Sequence, residues 1–105
     1  DMAILELLYG GGLRVSELCG IDGGDLDLGS GLVRLMGKGS KERVVPVGDS
    51  AVKAVKDYLA LRGVPARGEP LLLAARGGRL NPRAVQLMLK RKLALAGLPA
   101  MSVPA

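Results

Sequence analysis

Two short apolar runs, Leu32-Val33-Arg34-Leu35-Met36 and Arg43-Val44-Val45-Pro46-Val47, flank the segment Gly37-Lys38-Gly39-Ser40-Lys41-Glu42. Runs of this composition joined by turn-forming residues read as a β-hairpin with an extended loop, which commits the middle of the chain to an antiparallel sheet. Pro46 has no N–H to give to a ladder, so the second strand is expected to present that side at a sheet edge.

Helical periodicity fills most of the rest. Ala3 to Tyr9 reads as the tail of a helix, apolar at Ile4, Leu5, Leu7 and Leu8 and stopped by Gly10-Gly11-Gly12. A second short helix fits Val15 to Cys19, with Arg14 at its entry, Leu18 facing inward and Gly20 closing it. Asp49 or Ser50 is expected to cap a helix that runs through Leu61, with Val52, Val55 and Leu59 on one face. Pro65 to Pro70 reads as a loop, Leu71 to Leu73 as a short strand and Gly77-Gly78 as a turn. Asn81 before Pro82 is a helix start, because Asn caps and Pro tolerates the first helical position. Val85, Met88, Leu89, Leu93 and Ala96 then keep helical spacing up to Gly97. The fold class is α+β, helices packed around a small antiparallel sheet.

At 105 residues the chain suffices for one small domain with a single core. It contains no His, which removes imidazole bases and imidazole metal ligands, and its one cysteine, Cys19, can form neither an internal disulfide nor a thiolate cluster. Neither a metal nor a cofactor is expected. The longest apolar runs fall far short of the roughly 20 residues that cross a bilayer, so no membrane association is expected and a cytoplasmic location is. Charge is distributed unevenly: residues 1–30 carry six acids against Arg14 alone, and the remainder carries fourteen Lys and Arg against four acids. A basic excess gathered in one part of a small domain suits a polyanion-binding face, although on charge alone a merely solvated surface explains it equally well.

Two phosphate-loop readings fail. Gly37-Lys38-Gly39 lacks both the earlier glycine and the following Ser or Thr of a Walker A loop, and Gly10-Gly11-Gly12 follows a helix rather than a strand. What remains is an ordered set: Tyr9 to Leu18, containing Gly12-Leu13-Arg14-Val15-Ser16-Glu17-Leu18; the acidic Asp25-Leu26-Asp27; Gly37-Lys38-Gly39-Ser40-Lys41-Glu42-Arg43 running to Pro46; and Leu80-Asn81-Pro82-Arg83 opening a helix that ends in Leu95-Ala96-Gly97-Leu98. In this order and over nearly the whole chain, the set resembles the tyrosine recombinases of the Xer and phage-integrase family.

The resemblance implies metal-free phosphoryl transfer, in which a tyrosine attacks a DNA phosphate and fixed side chains neutralise the charge. Arg14 matches the first catalytic arginine, Glu17 the acidic residue that orients it, and Lys38 the hairpin lysine that protonates the departing 5′ oxygen. Lys41, Arg43, Arg83 and Lys90 are expected to contact DNA. Tyr9 and Tyr58 read as packing residues, since the family's nucleophile follows the helix that ends here at Gly97, as do its His-x-x-Arg box and its later His or Trp. The chain is thus expected to be a partial catalytic domain over residues 1–105, without the family's N-terminal clamp domain and without its nucleophile, and inactive alone. Gly11 stands where the family usually has a small polar residue, which predicts a looser turn before Arg14. Duplex DNA and partner recombinase subunits are the implied partners, with self-association through apolar surface left uncovered. The other reading of the same residues is a degenerate module that only binds DNA or a partner recombinase.

Overall fold

Ala3, Leu7 and Leu8 are buried at helical spacing and open the fold. In the computed structural model, which describes residues 2–36 and 41–97, α1 (Met2–Leu5) runs directly into a π-helical turn over Glu6–Gly10. The expected helix over Ala3 to Tyr9 is therefore present, with its second half wider than an α-helix. The Gly11 N–H closes that turn by donating to both Glu6 O and Leu7 O at 3.2 Å. A Cβ on Gly11 would lie 2.7 Å from the Leu7 carbonyl oxygen and 2.9 Å from Leu13 Cδ1, so the backbone packs tightly there and the expected loosening is not found. Gly12, at φ +68°, then redirects the chain through a conformation that residues with a Cβ rarely adopt. Tyr9 is 50 % exposed, against the expectation that it packs in the core. Tyr58 does pack against the core, and its hydroxyl accepts the Leu73 N–H at 2.8 Å.

Helix α2 spans Val15–Cys19 as expected and turns Val15, Leu18 and Cys19 inward. The sheet holds three antiparallel strands in the order β1 (Leu26–Asp27), β2 (Leu32–Met36) and β3 (Glu42–Pro46). In the sequence β1 shows only as an acidic stretch. Its Asp27 carboxylate accepts the N–H of Gly29 at 2.9 Å and that of Ser30 at 3.4 Å, a tight side-chain turn that delivers the chain to β2. The β2–β3 ladder pairs Val33 with Val45 and Leu35 with Arg43, and β3 forms an edge with Pro46 as its last residue. Alternation gives β2 a buried face, Val33 and Leu35, and an exposed one, Leu32, Arg34 and Met36.

Helix α3 (Gly48–Arg62) begins one residue before Asp49, because Gly48 at φ +81° turns the edge strand straight into the helix. Neither Asp49 nor Ser50 caps it; the N-cap is Val47, whose side chain makes no capping bond, and Asp49 instead places its charge in the first turn, where the helix dipole favours it. Its buried stripe is Ala51, Val55 and Leu59, with Val52 only half-buried at the margin. Leu71 to Leu73 forms no strand. It makes isolated bridges instead, Pro70 with Asp22 and Leu73 with Arg79, and buries Leu71 and Leu72.

Helix α4 (Pro82–Leu95) starts where the sequence indicates: Asn81 Oδ1 accepts the N–H groups of Arg83 at 2.8 Å and Ala84 at 3.4 Å. Val85 and Leu89 are buried, Met88 and Leu93 half-buried, and Ala96, expected on the same face, lies exposed past the helix end. Asn81→Ala should lower unfolding stability by about 1 kcal/mol, since it leaves those two donors without their acceptor. Urea denaturation measures this, and an unchanged midpoint would show that the cap contributes nothing. One core cluster joins all layers, with Leu7, Leu18, Val33, Val55 and Leu89 among its members, and α2 packs against α4 beneath it. The architecture is α+β, as the sequence predicts.

Candidate active site

Arg14 is the N-cap residue of α2, extended at φ −80° and ψ 154° and exposed to solvent. The tight Gly11-Gly12 turn before it and the buried Val15 after it fix its backbone, so that its side chain leaves the fold at the start of the helix. Glu17, one turn on, reaches back and accepts the Arg14 N–H at 3.0 Å. Glu17 thus holds the Arg14 backbone and feels the Arg14 charge, but among the described residues no carboxylate forms an ion pair with the Arg14 guanidinium.

The carboxylate of Glu17 is engaged by another arginine. Arg43 Nη2 donates at 2.8 Å to each carboxylate oxygen, and its Nε donates to Oε2 at 3.2 Å. The Glu17 side chain is 11 % exposed and that of Arg43 51 %. Burial pushes the Glu17 carboxyl up, but the Arg14 N–H, the Arg43 hydrogen bonds and the charges of both arginines outweigh it and hold the group below the ordinary carboxylate value.

The other expected site residues divide into three groups. Lys38 lies outside the described residues. Lys41, Arg83 and Lys90 are exposed, and Arg83 and Lys90 sit two turns apart on α4, away from its buried Val85 and Leu89. Arg43, expected to face DNA, is turned onto Glu17. The signal was in the sequence: Arg43 has the same strand parity as Val45 and Val47, and its ladder partner is the buried Leu35.

Several further cations are committed to the fold. Arg34 bonds Asp25 at 3.0 Å and pairs with Glu42 at 3.5 Å. Arg79 pairs with Asp22 and also donates to the Cys19 carbonyl, and Arg62 donates to the Pro70 carbonyl at 2.8 Å. Net charge therefore overstates the cations available to a ligand. An unneutralised guanidinium with a fixed backbone is suited to hold two oxygens of a phosphate in its planar fork. Burial pushes the Cys19 thiol up, only partly offset by Arg79, which leaves it a poor nucleophile. Among the described residues no group of acids and cysteines could hold a metal ion, and no helix is long and apolar enough to cross a membrane.

Comparison with known proteins gives this geometry a family. The sequence profile of the phage integrase family matches residues 1–103. The chain belongs to that family. Among its relatives is the tyrosine recombinase XerC of Myxococcus xanthus, 53 % identical over a 92-residue alignment that covers 81 % of this chain and 31 % of the relative. The XerC of Corynebacterium glutamicum is 46 % identical over 103 residues, 97 % of this chain and 33 % of that protein. This member of the family thus spans about a third of the length of the curated relatives it matches. The crystal structure of XerA recombinase superposes with a TM-score of 0.81 at 32 % identity, over 91 % of this chain and 35 % of that one. The XerH recombinase bound to its palindromic difH substrate shares the fold at a TM-score of 0.77 and 23 % identity, over 92 % of this chain and 28 % of that one.

Proposed function

We propose that this chain supplies the first part of the active site of a site-specific DNA recombinase that cleaves and rejoins strands through a phosphotyrosine intermediate. The observation that carries this reading is the exposed Arg14 guanidinium, without an ion-pair partner among the described residues, on a backbone held by Glu17. Arg14 holds two oxygens of the scissile phosphate and stabilises the charge that grows on them as phosphorus is attacked. A tyrosine oxygen forms the new bond to phosphorus, the bond to the 5′ oxygen breaks, and Lys38 gives that oxygen its proton. Tyr58 is spent on a core hydrogen bond and does not supply that oxygen; in the family the nucleophile follows the helix that α4 matches. Without it the chain binds DNA and cleaves nothing. Partner recombinase subunits, self-association and a cytoplasmic location belong to the same reading.

Duplex DNA is gripped by the exposed cations Lys41, Arg83 and Lys90, which contact phosphates and carry no base readout. Binding to unrelated duplexes is expected to be weak, of similar strength for each, and to fall steeply with salt as counterions are released. Arg83→Ala and Lys41→Ala should each weaken it and reduce the salt slope by about one. Arg14→Ala should change it less, since one active-site arginine meets one phosphate. Fluorescence anisotropy across a salt series tests this; an affinity flat in salt, or a larger loss at Arg14 than at the other two positions, would place the DNA elsewhere.

A further inference from the structure

The edge strand carries an arginine whose guanidinium is turned onto Glu17, where it can act on Arg14 from behind. Arg43 is the second residue of β3 and lies across the ladder from Leu35, one pair from the Met36–Glu42 end of the ladder. Its guanidinium crosses from the sheet to α2 and takes both oxygens of Glu17, and the same carboxylate holds the Arg14 N–H. The neighbouring Glu42 is tied by Arg34 along the outer face of the sheet, so two ion pairs hold the end of the ladder where β3 begins. An acidic side chain beside a phosphate site would by itself repel the substrate. Arg43 removes that penalty while leaving the Arg14 guanidinium without an ion-pair partner among the described residues.

We propose that Arg43 is a positioning residue of the recombinase site: it joins the edge strand β3 to α2, and through Glu17 it sets the backbone of Arg14. The inference rests on the recombinase reading for its catalytic consequence, but the coupling from Arg43 to Arg14 stands on this chain alone. A half-exposed ion pair contributes little to folding on average, and its value here lies in geometry.

The first arm of the test uses the 105-residue chain. The Arg14 amide resonance is followed by NMR from neutral to acid pH in the wild type, Arg43→Gln and Arg43→Lys. Glu17 faces Arg14 and Arg43, and the small cavity beside it is lined by Asp25 and Arg34, which pair with each other. Because the folded carboxyl is held low, the contribution of its contacts is present above the usual glutamate range and is lost as pH falls through the lowered value. The midpoint reported by the Arg14 amide should move up in Arg43→Gln and return part of the way in Arg43→Lys. In a Glu17→Gln background, Arg43→Gln should leave the Arg14 amide where Glu17→Gln alone puts it. An Arg14 amide that ignores Arg43→Gln in a folded protein overturns the proposal, and if that variant does not fold, the Arg43→Lys comparison decides in the same way.

The second arm uses the longer protein that includes the gene's downstream residues, in single-turnover cleavage of a nicked suicide duplex. Arg43→Gln is expected to slow cleavage of bound DNA about 10- to 100-fold with affinity unchanged, and Arg43→Lys to restore part of it. Loss of affinity with an unchanged cleavage rate would make Arg43 an ordinary phosphate contact and overturn the proposal. If the unaltered longer protein cleaves nothing, it is the recombinase reading that fails, and the amide titration still decides whether Arg43 governs Arg14.

Discussion

Arg14→Ala in the longer protein, extended through the downstream residues of its gene, is expected to abolish detectable covalent attachment to a nicked DNA duplex. Among the described residues the Arg14 guanidinium at the head of α2 has no ion-pair partner, while Arg34, Arg43, Arg62 and Arg79 are each bound to acceptors within the fold. Removing one preorganised donor from a site that stabilises developing charge typically costs a factor of roughly 10²–10³ in rate, enough to take a slow single-turnover reaction below detection on a gel. Binding should change little, so the loss should appear in the rate at saturating DNA. The 105-residue chain itself should give no adduct under the same conditions, because stabilisation without a positioned nucleophile yields no covalent intermediate. An adduct on that chain traced to Tyr9 or Tyr58 would overturn this division of labour. A longer protein indifferent to the loss of Arg14 would overturn the role given to that residue.

Leu18→Ala should cost about 3 kcal/mol of unfolding free energy, the largest stability effect expected from a single substitution near the site. Leu18 is 1 % exposed and belongs to the core cluster, and it directly follows Glu17 on α2. Its deletion to a methyl leaves a cavity under a five-residue helix that is too short to persist without its packing. The consequence joins stability to function: α2 presents both Arg14 and Glu17, so a protein that keeps its other helices but loosens α2 should lose the low-pH titration of the Arg14 amide along with its stability. Urea denaturation with circular dichroism detection measures the first effect, and a cost below about 1 kcal/mol would mean that the site is not anchored through this residue.

Helix α4 was legible because its cap is local chemistry: Asn81 and Pro82 bring their own reasons to begin a helix, and the structure places the cap there. Helix α2 was legible from Gly12, Arg14 and Gly20, which bracket a single turn with an apolar inner face. The start of α3 was misread because the residue that turns the chain is Gly48, and whether Asp49 caps or merely sits in the first turn depends on the direction from which the edge strand arrives. The two-residue β1 could not be read at all: Leu26-Asp27 has no periodicity of its own and is a strand only because Val33 and Leu32 lie opposite.

The site shows the same division. Its residue types and their order, Arg14 with Glu17 and then the lysine-rich hairpin, were fixed in the sequence and were enough to identify the family. The parity of β3 already placed Arg43 on the inner face with Val45, but parity says only which side a residue takes, and not what waits there. That Glu17 holds the backbone of Arg14, that its carboxylate is closed by Arg43 from another element, and that the Arg14 guanidinium has no ion-pair partner among the described residues were decided by tertiary structure alone. Hydrogen bonds and ion pairs of this kind join residues 26 positions apart, and they exist only once the sheet and α2 have packed on a common core.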